Sequence, residues 1–117
     1  MLKLPSATFT NDELILVLIS LVRSTRPSML RQDGDGFSVD FEPLTKKKQL
    51  TADERLLLRM REVMEGANEQ STLVLQLEEK EGPRLAAALA RLETLQQWPA
   101  DVLEMSRSLR SRLAPLP

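Results

Sequence analysis

Hydrophobic and polar positions along the chain change period from segment to segment, and the prolines mark most of the breaks. The most apolar run is Leu14-Ile15-Leu16-Val17-Leu18-Ile19-Ser20-Leu21-Val22. Just before it, Thr10-Asn11-Asp12-Glu13 has the spacing at which a hydroxyl and a carboxylate satisfy two orphan amides at a helix start. This predicts a helix to about Thr25, where Arg26-Pro27 stops it, since the residue before a proline is pushed out of the helical region. Residues 1–9 form a short lead-in, for which an extended conformation is one reading. Residues 28–42 alternate instead: Asp33-Gly34-Asp35-Gly36 favours a tight turn, and Phe37, Val39 and Phe41 share one face of an extended strand. A hairpin is therefore predicted near 28–42. Residues 43–50, with Lys46-Lys47-Lys48, read as an exposed connection.

Thr51-Ala52-Asp53-Glu54 repeats the capping spacing. Behind it Leu56, Leu57, Met60, Val63, Met64 and Ala67 make a helical stripe, with Arg59–Glu62 and Arg61–Glu65 spaced to pair on its outer side. Leu73, Leu75 and Leu77 fall on one face of a short strand near 72–77; a continuation of the preceding helix is the other reading of so short an apolar run. Gly82-Pro83 opens a helix with buried positions Leu85, Leu89, Leu92 and Leu95, and with Ala86, Ala88 and Ala90 allowing close helix approach. Pro99 restarts a last helix carrying Val102, Met105, Leu109 and Leu113. The fold class expected is α+β, mostly α-helical: about four helices, a hairpin and one further strand, in a single domain over 1–117. At this length roughly two thirds of the unfolded surface can be buried, enough for a real core.

Composition narrows the chemistry. The 117 residues include no His, Cys or Tyr, which removes thiol nucleophiles, imidazole bases, disulfides and the usual zinc or haem ligands. Only four glycines are present, and neither a Gly-x-Ser-x-Gly elbow nor a glycine-rich phosphate loop appears. No catalytic residue, cofactor or metal is expected. With 16 basic against 17 acidic residues, the net charge of −1 supplies no general attraction to nucleic acid. The apolar run is nine residues long, roughly 13 Å as a helix, against the ~20 residues that cross a bilayer. Asp12 and Glu13 directly before it are the wrong flank for a secretory leader, so a soluble cytoplasmic protein is expected.

Two short stretches resemble known motifs. Asp33, Asp35, Gly36 and Glu42 fall where the third, fifth, sixth and twelfth residues of an EF-hand loop would stand. Arg31 occupies the first position, where a carboxylate must bind, Ser38 the eighth, and Pro43 blocks the exit helix; calcium is not expected. Residues 72–113 resemble the ribbon-helix-helix order of small DNA-binding dimers, which would place Thr72, Val74 and Gln76 against base edges. The acidic Glu78-Glu79-Lys80-Glu81 flank makes nucleic acid the weaker of two expectations.

The stronger one comes from the first helix, which is apolar on all sides. A helix on a monomer's surface needs only a stripe of roughly 100°. This one must lie either at the centre of the fold or between two copies, and cover from one chain looks insufficient. A homodimer, or a contact with another protein, would supply it, with Leu14, Leu18, Leu21 and Val22 at the interface and Trp98 as a further contact candidate. Arg107, Arg110 and Arg112 on the last helix are candidate contacts for an anionic partner. The function expected is a non-enzymatic protein-interaction module of adaptor, chaperone-like or assembly-factor type.

Overall fold

In chain order the elements are β1 (Ser6–Phe9), α1 (Asn11–Thr25), a single 3-10 turn (Pro27–Met29), β2 (Leu30–Asp33), β3 (Gly36–Val39), α2 (Glu42–Thr45), α3 (Ala52–Glu65), β4 (Leu73–Gln76), α4 (Glu81–Leu95) and α5 (Ala100–Leu113). They come from a computed structural model that describes residues 6–33, 36–66, 72–95 and 97–116. The class is α+β and mostly helical, with five α-helices and two antiparallel two-stranded sheets among the described residues. No helix among them is long and apolar enough to cross a membrane.

Both capping boxes form. At α1 the Thr10 amide donates to Glu13 Oε1 at 2.8 Å and the Glu13 amide to Thr10 Oγ1 at 3.2 Å; Thr51 and Glu54 repeat the exchange at α3. The hairpin pairs β2 with β3 from Leu30↔Val39 to Asp33↔Gly36, and its turn, residues 34 and 35, lies outside the described residues. That pairing lays 30–33 and 36–39 out as a ladder, and Arg31 Nη2 binds Asp40 Oδ2 at 3.0 Å. The lead-in becomes β1, whose partner is β4, in a register from Ser6↔Gln76 to Phe9↔Leu73. Leu73 and Leu75 face the core and Val74 faces out, as period two requires.

Four local readings are corrected. The exposed connection after residue 42 contains α2, whose Leu44 is buried, and Pro43 does not block a helix there but stands in its first turn, where a missing amide costs nothing. The helix count rises to five for that reason. Leu95 does not join the buried stripe of α4 but stands 48% exposed at its last turn. Arg61 does pair with Glu65, at 2.9 Å, whereas Arg59 turns away from Glu62 to the buried Glu81 at the start of α4.

α1 lies at the centre, packed against α4, α3 and α5 and against β1 and β2. Leu14, Leu16, Val17, Leu18, Leu21 and Val22 are all buried. Each such aliphatic side chain contributes roughly 1.5–3 kcal/mol through its removal from water. Close approach elsewhere depends on Gly82: a Cβ there would lie 2.6 Å from the Leu113 carbonyl oxygen and 2.7 Å from Leu116 Cβ.

One buried carboxylate joins three segments. Glu54, 2% exposed, accepts both of its Lys47 hydrogen bonds, at 2.7 and 2.9 Å, holds the Thr51 amide, and stands 3.6 Å from Arg26 Nε at the end of α1. The Lys47 hydrogen bonds first, and the Thr51 amide after them, outweigh the cost of burial and lower the Glu54 pKa from 4.5 to about 2. Its carboxylate therefore stabilises the fold fully above about pH 4.5, and the contribution is lost as pH falls toward 2. Glu54→Gln is expected to cost about 1–3 kcal/mol at pH 7, by urea unfolding, and the gap from the unchanged protein should close as the titration is repeated down to pH 2. For Gly82→Ala, helix propensity alone would stabilise by about 0.5–1 kcal/mol. The contacts with residues 113 and 116 reverse the sign, and a loss of about 1–3 kcal/mol is expected in the same assay.

Candidate functional site

The packing of α1 leaves one part of its circumference uncovered. Ile15 is 39% exposed and Ile19, four residues on and so on the same face, is half-buried. Beside them opens a cleft of about 740 Å³, bounded by α1, by the exit of the hairpin with α2, and by the last turns of α3. Its apolar floor is Ile15, Leu18, Ile19, Val39, Phe41 and Met64.

Each wall is placed by a local feature. Asp40 follows the hairpin, its Oδ1 accepting from the amide of Glu42, the first residue of α2, at 3.1 Å. Phe41, the N-cap of α2, stands past the end of β3 and lines the cleft together with Val39. The Arg61 guanidinium lies over the Phe41 ring, 5.4 Å from its centroid, and so ties α3 to the hairpin exit. The rim is charged: Asp40, Glu42, Arg61 and Glu65 line it. Asp40 pairs with Arg31, Glu42 with Lys46 at 2.7 Å, and Glu65 with Arg61, all in partly exposed positions. Such pairs are worth about 0–1 kcal/mol each and re-form easily with other partners. The arrangement offers a greasy concave floor to aliphatic side chains and a ring of re-pairable charges around it.

The residues singled out from sequence fall elsewhere. Leu14, Leu18, Leu21 and Val22 are inside the chain's own core, with only Leu18 reaching the cleft floor. This corrects the premise that one copy could not cover the first helix: the turns around it, with α3, α4 and α5, do so except at Ile15 and Ile19. Trp98 packs against the core at the α4–α5 corner and its Nε1 donates to the Leu92 carbonyl at 3.0 Å. The arginines of α5 hold helices together: Arg110 makes two hydrogen bonds to Glu93, at 2.6 and 3.0 Å, and Arg107 approaches the same carboxylate at 3.9 Å. Arg112 binds Glu13 at 2.7 Å and the Thr8 carbonyl. All three cations are therefore drawn to carboxylates of their own chain.

The order strand, helix, helix expected for residues 72–113 is present, but β4 pairs with β1 of the same chain rather than with a copy of itself. The exposed side chains of that ribbon, Ser6, Thr8, Thr72, Val74 and Gln76, carry no charge toward a phosphate backbone. Of the calcium-loop resemblance, Gly34 and Asp35 lie outside the described residues, while Arg31 and Glu42 are engaged in ion pairs. Of the three lysines at 46–48, Lys46 and Lys47 bind Glu42 and Glu54.

The cleft residues were not singled out from sequence. Ile15 and Ile19 sit within a run apolar on every side, so nothing in the pattern distinguishes them from the core positions next to them. Phe41 and Met64 had been read as parts of a strand face and a helix stripe. No family model, curated protein or solved structure matches this chain.

The two faces of α1 should separate cleanly by mutation. Leu14→Ala is expected to cost about 2–5 kcal/mol in urea unfolding, because it leaves a cavity at a fully buried site. Ile15→Asp, on the open side, should cost less than about 1 kcal/mol.

Proposed function

We propose that this chain is a non-enzymatic protein-interaction module, of adaptor, chaperone-like or assembly-factor type, whose docking face is the cleft beside α1. The observation that carries this reading is the pairing of an exposed Ile15 with an open apolar floor of Leu18, Ile19, Phe41 and Met64. An exposed isoleucine beside a concave apolar floor ringed by polar groups has the anatomy of a contact site, whereas Val74 and Leu95, the other exposed large hydrophobics among the described residues, line no part of the cleft. Met64 adds an unbranched, adaptable side chain suited to partners of varied shape. Burying a few aliphatic side chains in such a cleft supplies roughly 1.5–3 kcal/mol each, before the cost of association is subtracted.

Site-specific photocrosslinking tests the docking face. Benzoylphenylalanine at Thr45, on the cleft edge, is expected to crosslink to a protein of discrete mass, and at Arg107, on the outer side of α5, to give none. Excess unlabelled chain should compete the product away, and excess Ile19→Asp chain should not. Equal crosslinking at both positions, or competition by the Ile19→Asp chain, would remove the cleft as the docking face.

A further inference from the structure

Resting on that reading of the cleft, we propose that its occupant is a second copy of this chain, related to the first by a two-fold axis. A two-fold contact brings a patch against itself, so the patch must be complementary to itself in both shape and charge. The charge condition is met at the rim. The three carboxylates that line it, Asp40, Glu42 and Glu65, are matched one for one by Arg61, which lines it as well, and by Arg31 and Lys46, which pair with Asp40 and Glu42 from just outside the lining. A strongly basic or strongly acidic partner would meet as many like charges as unlike ones there, whereas a rotated copy can set each sign against its opposite.

The most exposed of these pairs can exchange partners. Lys46 and Glu42 are 74% and 64% exposed at their side chains and Glu65 63%, so re-pairing them across an interface gives up little that the single chain depends on, while Arg61 keeps its place over Phe41. The shape condition is met by juxtaposition. Ile15 is 39% exposed and lines the same open apolar cleft as Ile19 and Phe41, so a rotated copy can lay its own Ile15 against that cleft while receiving the first copy's in return. Whole-molecule charge does not oppose the contact, because two copies at −1 each repel weakly and over a short range in physiological salt.

Sedimentation velocity on the full chain tests this, with circular dichroism confirming that each variant is folded. The unchanged chain is expected to shift from one-copy to two-copy mass as concentration rises through the micromolar range. Ile15→Asp should weaken the association by roughly tenfold or more. Arg61→Glu and Glu65→Arg should each weaken it alone, the first leaving an acidic rim and the second a basic one. An equimolar mixture of those two variants should recover the two-copy mass, since opposite rims then face each other. One-copy mass for the unchanged chain up to about millimolar concentration overturns the second copy as occupant. So does a dimer indifferent to Ile15→Asp, or a variant mixture that stays at one-copy mass. If a one-copy protein still gives a competed crosslink at Thr45 to some other protein, the cleft stands as a docking face and only its occupant is wrong.

Discussion

A helix that is apolar around nearly its whole circumference has to be wrapped, and the wrapping of α1 organises everything else in this protein. α4 and α3 take most of its sides, α5 and the two sheets take others, and the chain reaches those positions through short connections set by capping residues and prolines. The ion pairs follow from the same demand. Arg26 and Lys47 converge on Glu54 where α1 hands over to α3, Arg59 reaches Glu81 where α3 meets α4, and Glu93 gathers Arg110 where α4 meets α5. The last two join elements that enclose the central helix, and the first ties the end of that helix to one of them.

Wrapping stops short over one face, and the cleft is the place where it stops. α2 and the hairpin exit come up beside Ile15 and Ile19 but do not close over them. Two contacts hold the walls on either side: Asp40 accepts from the Glu42 amide at the start of α2, and Arg61 of α3 lies over the Phe41 ring.

Much of the architecture was legible in the sequence because it rests on local rules. The Thr10 and Thr51 capping boxes, the stop at Arg26-Pro27, the hairpin and the alternation at Leu73, Leu75 and Leu77 all depend on neighbours a few residues away. What was not legible depended on distant partners. An extended lead-in could be read locally, but not that it pairs with β4, and Arg59 prefers Glu81 to Glu62 because tertiary packing brings a buried carboxylate within reach. The site was hidden for a related reason. In a run where every position but Ser20 is apolar, periodicity cannot tell which residue is left uncovered, so it makes Leu14 and Val22 as available as Ile15. The α5 arginines were visible as cations, but their carboxylate partners lie on α1 and α4.

The β1–β4 ribbon joins segments separated by most of the chain, and its ladder is only four residues deep on each side. Closing so large a loop costs entropy that so few hydrogen bonds repay only once the helices between them are packed. The ribbon is therefore held less by its own ladder than by Phe9, Leu73 and Leu75, which its two strands bury in the core. The Arg112 bridges to Thr8 and Glu13 act at the same seam, stitching the amino-terminal strand and the base of α1 to the far end of α5.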